Sequence, residues 1–144
     1  MKKIMDTDMR ISLDTNVWIF GLVEYNKYCR KILMNLSHFQ VIVPIQVLKE
    51  LNNNLSKEFL DYFYQLVIKP YVQLDYEKVP DVYITMFESK DLKKGDAIIG
   101  AFAEWRKVDM IVSDNRDFLR GLSEEYYFRV MAPQKFCESF NLCY

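Results

Sequence analysis

The chain has 144 residues, 51% of them apolar and 15% aromatic, enough for one substantial core; with only four Gly and four Pro it excludes a low-complexity or linker-rich protein. Its 19 basic and 20 acidic residues give a formal net charge of −1, which excludes a uniformly basic nucleic-acid coat but not a local basic patch. Cys29, Cys137 and Cys143 are an odd number without CxxC spacing, so neither a disulfide framework nor a zinc site is expected.

In chain order, "MRISLD" (9–14) reads as a short buried strand that stops at a carboxylate. "TNVWIFGLVEY" (15–25) opens a helical turn, with Thr15 or Asn16 as its cap. "NKYCRKILMNLSHF" (26–39) predicts one helix, with Tyr28, Ile32, Leu36 and Phe39 at helical spacing. "QVIVP" (40–44) is a second strand, and "PIQVLKELNNNL" (44–55) a helix with Val47, Leu48, Leu51 and Leu55 as its apolar stripe and Glu50 off it. "SKEFLDYFYQLVIKP" (56–70) continues as a helix capped by Ser56, and "YVQLD" (71–75) as a strand. "DVYITMFESKD" (81–91) and "KKGDAIIGAFAEWRKV" (93–108) are helical, the latter with Ile98, Ala101, Phe102, Trp105 and Val108 on one face. "DMIVSD" (109–114) is a strand that again ends on a carboxylate. It is followed by a turn "NRDFLRGL" (115–122), a strand "YFRVM" (127–131) and a closing helix "APQKFCESF" (132–140).

Strands alternating with helices predict an α/β fold, a single domain over residues 1–144 with a central, mostly parallel sheet flanked by helices. No apolar run reaches the roughly 18–20 residues of a membrane span. The start "MKKIMDTDMR" mixes acids with bases and leads into no long apolar run, so it does not read as a signal peptide. A cytoplasmic protein without membrane association is expected.

In a parallel sheet, ligands bind beyond the carboxyl ends of the strands. Asp14 and Asp114, each ending a strand, are expected on one edge. Asp96 stands near the start of its helix, with Gly100 one turn on expected to keep that face open, and Glu50 lies on the helix after the second strand. Each acid alone has an ordinary explanation, as a cap, a turn or a solvated helix residue. Together, clustered carboxylates repel and raise one another's pKa, and a hard cation relieves that repulsion. Mg²⁺ and Mn²⁺ suit carboxylate oxygens with water, and they activate water toward a phosphodiester. His38 is the single histidine, so histidine-based acid–base chemistry is not expected; nor is there a nucleophile elbow or a Gly-rich phosphate loop.

The segments "ISLDTNVWI", "VPIQVLKEL", "KKGDAIIGAFAEW" and "MIVSDNRDF", in that order, resemble the signature segments of PIN-domain proteins. The resemblance runs from about residue 10 to residue 131. Many PIN domains are metal-dependent ribonucleases, and small ones are often VapC-type toxins held inactive by an antitoxin. The resemblance implies catalytic acids at Asp14, Glu50, Asp96 and Asp114, with Asp14, Asp96 and Asp114 as ligands to Mg²⁺ or Mn²⁺. It implies supporting roles for Asn16 and Ser113. The fourth segment departs from the family pattern: the usual acid position falls on Asn115, with Asp114 before it and Asp117 after it, and the fourth ligand is open among these, Asp114 being favoured because the strand ends there.

Lys93, Lys94, Arg106, Lys107, Arg116 and Arg120 fall in or near the two C-terminal acidic segments and could rim an RNA path, Arg116 being the best placed for phosphate; solvated helix charges are the alternative. The aromatic runs "FLDYFYQLVIKPY" and "EEYYFRV" are expected mainly in the core, a groove for bases or an antitoxin helix being the other use. The expected function is a metal-dependent endoribonuclease acting on RNA, with an antitoxin protein as partner and a homodimer left open. Two alternatives stand beside it. One is a catalytically weak PIN-like module that binds RNA or protein. The other is a phosphatase with Asp14 as nucleophile, disfavoured because Asn16 stands where a second Asp is needed.

Overall fold

The computed structural model describes residues 8–90, 92–115, 118–119 and 126–142. Aliphatic and β-branched runs form five short strands: β1 Arg10–Leu13, β2 Gln40–Pro44, β3 Val72–Asp75, β4 Met110–Val112 and β5 Arg129–Met131. All neighbouring pairs are parallel, in the order β3-β2-β1-β4-β5. The chain therefore moves outward from β1 through β2 and β3, then returns to the other side of β1 for β4 and β5. That reversal opens a crevice at the carboxyl ends of β1 and β4, the place where α/β folds bind ligands.

The described helices are α1 Thr15–Leu22, α2 Lys27–Met34, α3 Ile45–Asn54, α4 Lys57–Val67, α5 Asp81–Glu88, α6 Lys94–Arg106 and α7 Pro133–Ser139. None among the described residues is long and apolar enough to cross a membrane. The cap of α1 is Asp14 and not Thr15 or Asn16: the Asp14 side chain accepts the Thr15 N–H. The segment expected as one helix over 26–39 is two pieces. Asn26 caps α2 through the N–H groups of Tyr28 and Cys29, the helix ends at Met34, and a 3₁₀ turn, Leu36–His38, follows. Asn35 stops it, with φ −123° and its side-chain amide donated to the Lys31 carbonyl. Such side-chain–backbone bonds compete with helix continuation.

The core is aromatic and aliphatic, with Trp18, Phe39, Phe63, Phe87, Phe102, Phe118 and Phe136 fully buried. Trp18 meets Phe63 edge-on at 4.9 Å, tying α1 to α4. Phe39, Phe136 and Phe140 pack α7 against the start of β2. The run on α4 divides: Phe63 and Val67 face inward while Tyr62 and Tyr64 face out. Likewise Phe128 is buried and Tyr127 exposed. The buried face of α6 differs from the expected stripe: Ala101 and Phe102 are buried with Ala97, Ile99, Gly100 and Ala103, while Ile98 and Trp105 are only partly covered. Gly100 does not open the site face as expected. A Cβ there would lie 2.8 Å from the Phe87 ring, so this glycine lets α5 pack on α6.

Candidate active site

β1 ends at Leu13, and Asp14 turns the chain into α1. Its own N–H still reaches the Val112 carbonyl at 2.9 Å, which keeps it registered against β4. Its side chain is 4% exposed. One carboxylate oxygen accepts the Thr15 N–H at 2.8 Å; the other accepts the Ser113 hydroxyl at 2.7 Å. Ser113 follows β4, so this bond spans the two strand ends that flank the crevice.

Glu50 reaches the same place from α3. Its Oε1 accepts the Thr15 hydroxyl, and its Oε2 accepts the Gln46 amide at 2.7 Å, one turn earlier on the helix. It abuts the start of α6 so closely that a Cβ on Gly95 would lie 2.5 Å from Oε2. Asp96, in the first turn of α6, accepts the Asn115 side-chain amide at 2.9 Å. The Asn115 N–H donates in turn to Ser113 Oγ at 3.1 Å. A continuous chain of hydrogen bonds thus runs Asp96–Asn115–Ser113–Asp14. The unsatisfied N–H groups and positive end of the α6 dipole favour negative charge where Asp96 and Glu50 stand.

Asp14 carries the electrostatic signature of this grouping. Burial pushes its carboxyl up from 3.8 to about 6; the Ser113 hydroxyl and the Thr15 N–H oppose that, while the charges of Asp96 and Glu50 add to it. Neither Asp14 nor Glu50 pairs with Lys or Arg among the described residues.

The fourth expected acid sits differently. Asp114 is exposed, its N–H donates to Asn16 Oδ1 at 3.4 Å, and its charge is felt by Cys29, whose thiol burial pushes up to about 12. It is not among the charges that raise Asp14. Among the described residues of that segment, Asn115 reaches Asp96. Asp117, Arg116 and Arg120 lie outside the described residues. Thr15, Gln46 and Gly95 belong to the site but escape the sequence reading. The Gln46–Glu50 spacing of four was a legible signal for one of them.

Among the described residues, no three acidic, histidine or cysteine side chains converge tightly enough to hold an ion together. The donor chemistry nonetheless fits a hard divalent cation. All the donors are oxygens, a carboxylate raised chiefly by burial also feels the charges of two others, and Mg²⁺ needs only one or two carboxylates when waters complete its shell. Asp14 and Asp96 would hold it, with Glu50 beside them.

The fold has solved counterparts. VapBC2 from Rickettsia felis, in a crystal structure bound to a DNA fragment from their promoter, aligns with a TM-score of 0.64 at 16% identity, covering 86% of this chain and 98% of that one. FitAcB from Neisseria gonorrhoeae aligns with a TM-score of 0.58 at 17% identity, with the same coverage. No relative is found among curated protein sequences. The PIN domain profile matches residues 11–121, a span that begins with β1, includes Asp14, Glu50, Asp96 and Asn115, and covers most of the chain. With the acids gathered at the β1–β4 crevice of an all-parallel sheet, the chain belongs to the PIN domain family.

Proposed function

We propose that the protein is a Mg²⁺- or Mn²⁺-dependent endoribonuclease. The observation that carries this is the grouping of three carboxylates from three segments: Asp14 buried at the end of β1, Asp96 linked to it through Asn115 and Ser113, and Glu50 linked to its neighbour Thr15. A divalent cation bound there would supply a water of lowered pKa and offset the charge that develops on a phosphodiester.

The chain's own groups do the rest. Asp14 is held in one orientation by Thr15 and Ser113, and Asp96 by Asn115, so both carboxylates are aimed before substrate arrives. Glu50, braced by Thr15 and Gln46, would serve as the group that takes up a proton when water attacks. Asp114 and Asn16, joined across the strand ends, form the outer rim, where Asp114 can add a further oxygen.

The likeness to VapBC2 and FitAcB, and the resemblance to VapC-type toxins, support a toxin setting with an antitoxin protein as partner. A catalytically weak binding module is the second reading, favoured by one observation: among the described residues, the side chain from the fourth segment that meets Asp96 is the amide Asn115.

One assay separates the two. A panel of structured and unstructured RNAs is incubated with wild type and Asp14→Asn, with Mg²⁺, Mn²⁺ or chelator. Cleavage by wild type alone, stopped by chelator, is the expected result. Equal cleavage by both proteins marks a contaminant. No metal-dependent cleavage of any RNA, with binding retained, gives the case to the module.

A further inference from the structure

Helix α3 presents two polar or open faces. Gln46 and Glu50 turn toward the acids. Ile45, Leu48, Lys49, Asn52 and Asn53, roughly a quarter to a third of a turn away by helical geometry, line an open recess of about 400 Å³ together with Tyr64 and Tyr76. That volume lies within the range of small-ligand sites. Its lining combines two aliphatic side chains, two phenol rings, one ammonium and two amides.

Both tyrosines are open to solvent, Tyr76 at 63% and Tyr64 at 39%. An exposed ring usually sits on a loose segment, yet here the backbone is braced. Asp75, just before Tyr76, is 5% exposed. It accepts the Arg106 guanidinium at 2.9 and 3.4 Å and the Glu77 N–H at 3.0 Å, closing a turn around Tyr76. Arg106 is itself stacked 3.8 Å over Trp105. Tyr64 is tied to α3 through its hydroxyl, which lies 3.5 Å from the Asn52 amide. A partly buried ion pair thus braces the backbone beside an exposed aromatic ring at the carboxyl end of β3, on the sheet edge that carries Asp14.

We propose that this recess is a base-stacking subsite for single-stranded RNA, holding a nucleobase on Tyr76 and Tyr64 while a neighbouring phosphodiester lies at Asp14, Asp96 and Glu50. It rests on the nuclease reading and names where the substrate strand runs. Aromatic faces beside a cation and side-chain amides are the chemistry that takes unpaired bases. The two faces share one helix, so the subsite stands about a helix width, on the order of 10 Å, from the acids. Lys49 offsets part of the repulsion that the acidic crevice exerts on a phosphate chain.

The test uses the cleavage-deficient Asp14→Asn protein and fluorescein-labelled octaadenylate and octauridylate RNA, read by anisotropy. Adding Tyr76→Ala is expected to weaken binding by about tenfold, while Tyr76→Phe, which keeps the ring, stays within about twofold. Abasic substitution scanned along the octamer should reproduce the loss at one position, and that position should no longer matter once Tyr76→Ala is present. With 5-iodouridine in the RNA, photocrosslinks should map to Tyr76 or Tyr64. Undiminished affinity in Tyr76→Ala with no sensitive abasic position overturns the subsite, as does no measurable binding of either octamer. If Tyr76→Ala leaves RNA binding intact but dissociates a dimer in sedimentation, the recess is a protein interface and the proposal fails. Metal-dependent cleavage by wild type with tyrosine-independent binding sinks the subsite alone, whereas absent cleavage sinks the nuclease reading.

Discussion

Asp14 is ionised at neutral pH in a place that resists its charge. In the unfolded chain its carboxyl titrates near 3.8; in the fold it is pushed to about 6. Below about 3.8 it is protonated in both states and has no effect on stability. As pH rises from there to about 6 the unfolded chain loses its proton first, so metal-free stability falls, and above 6 the full penalty stands, on the order of 3 kcal/mol. Asp14→Asn removes the charge and keeps an oxygen for the Thr15 N–H, giving back about 1 kcal/mol of that gain through the weakened Ser113 bond. In chelator at pH 8, urea unfolding should therefore show Asp14→Asn more stable than wild type by about 1–2 kcal/mol, the gap closing toward pH 4. A wild type that is the more stable at pH 8 would make Asp14 a helix cap and nothing more. Cys29 and Cys137, by contrast, are buried with their thiols pushed up, which leaves little thiolate for chemistry.

α6 carries two glycines with opposite consequences. Gly95 faces the flexible end of Glu50, and Gly100 faces the rigid Phe87 ring, which is packed with Tyr126 and Phe128. Alanine adds helix propensity of up to about 1 kcal/mol at either place. At Gly95 the carboxylate can swing aside, so Gly95→Ala should leave the melting temperature nearly unchanged while weakening metal-dependent cleavage, because Glu50 loses its position. At Gly100 the ring must move, and overpacking of that kind costs about 1–3 kcal/mol, so Gly100→Ala should lower stability while the metal response survives. Melting curves and cleavage rates measured on both variants decide this. The reverse pattern would place Gly100 at the site, where the sequence pattern alone put it.

For the whole molecule, an ion bound only by the folded chain stabilises by mass action, by about 2.7 kcal/mol at a hundredfold excess over its Kd. For a chain of this size that corresponds to a rise in Tm of roughly 5–10 °C. Differential scanning fluorimetry with Mn²⁺ or Mg²⁺ against chelator should show it in wild type and lose most of it in Asp96→Asn. An equal rise in Asp96→Asn would mean that the ion sits elsewhere. Asp96 contributes in this way because the sheet order places α6 beside the crevice between β1 and β4, more than eighty residues along the chain from Asp14.

The alternation of apolar runs determined the α/β class and nearly every element, because buried parallel strands and amphipathic helices each impose a period that local sequence must obey. That Asp14 and Asp96 lie near one another was legible, since strand ends and helix starts in such folds share an edge; Glu50, in the middle of α3, comes to them through Thr15. Side-chain direction was not legible. Asp114 and Asn115 are adjacent, and which of them turns toward Asp96 depends on the pairing of Ser113 with Met131 and on its hydroxyl bond to Asp14. Nor could spacing reveal that Gly100 yields to Phe87, that Asn35 ends α2, or that Tyr64 faces out while Phe63 faces in. These outcomes are set by contacts between segments distant in sequence, where packing volume and the supply of hydrogen-bond partners outweigh local propensity.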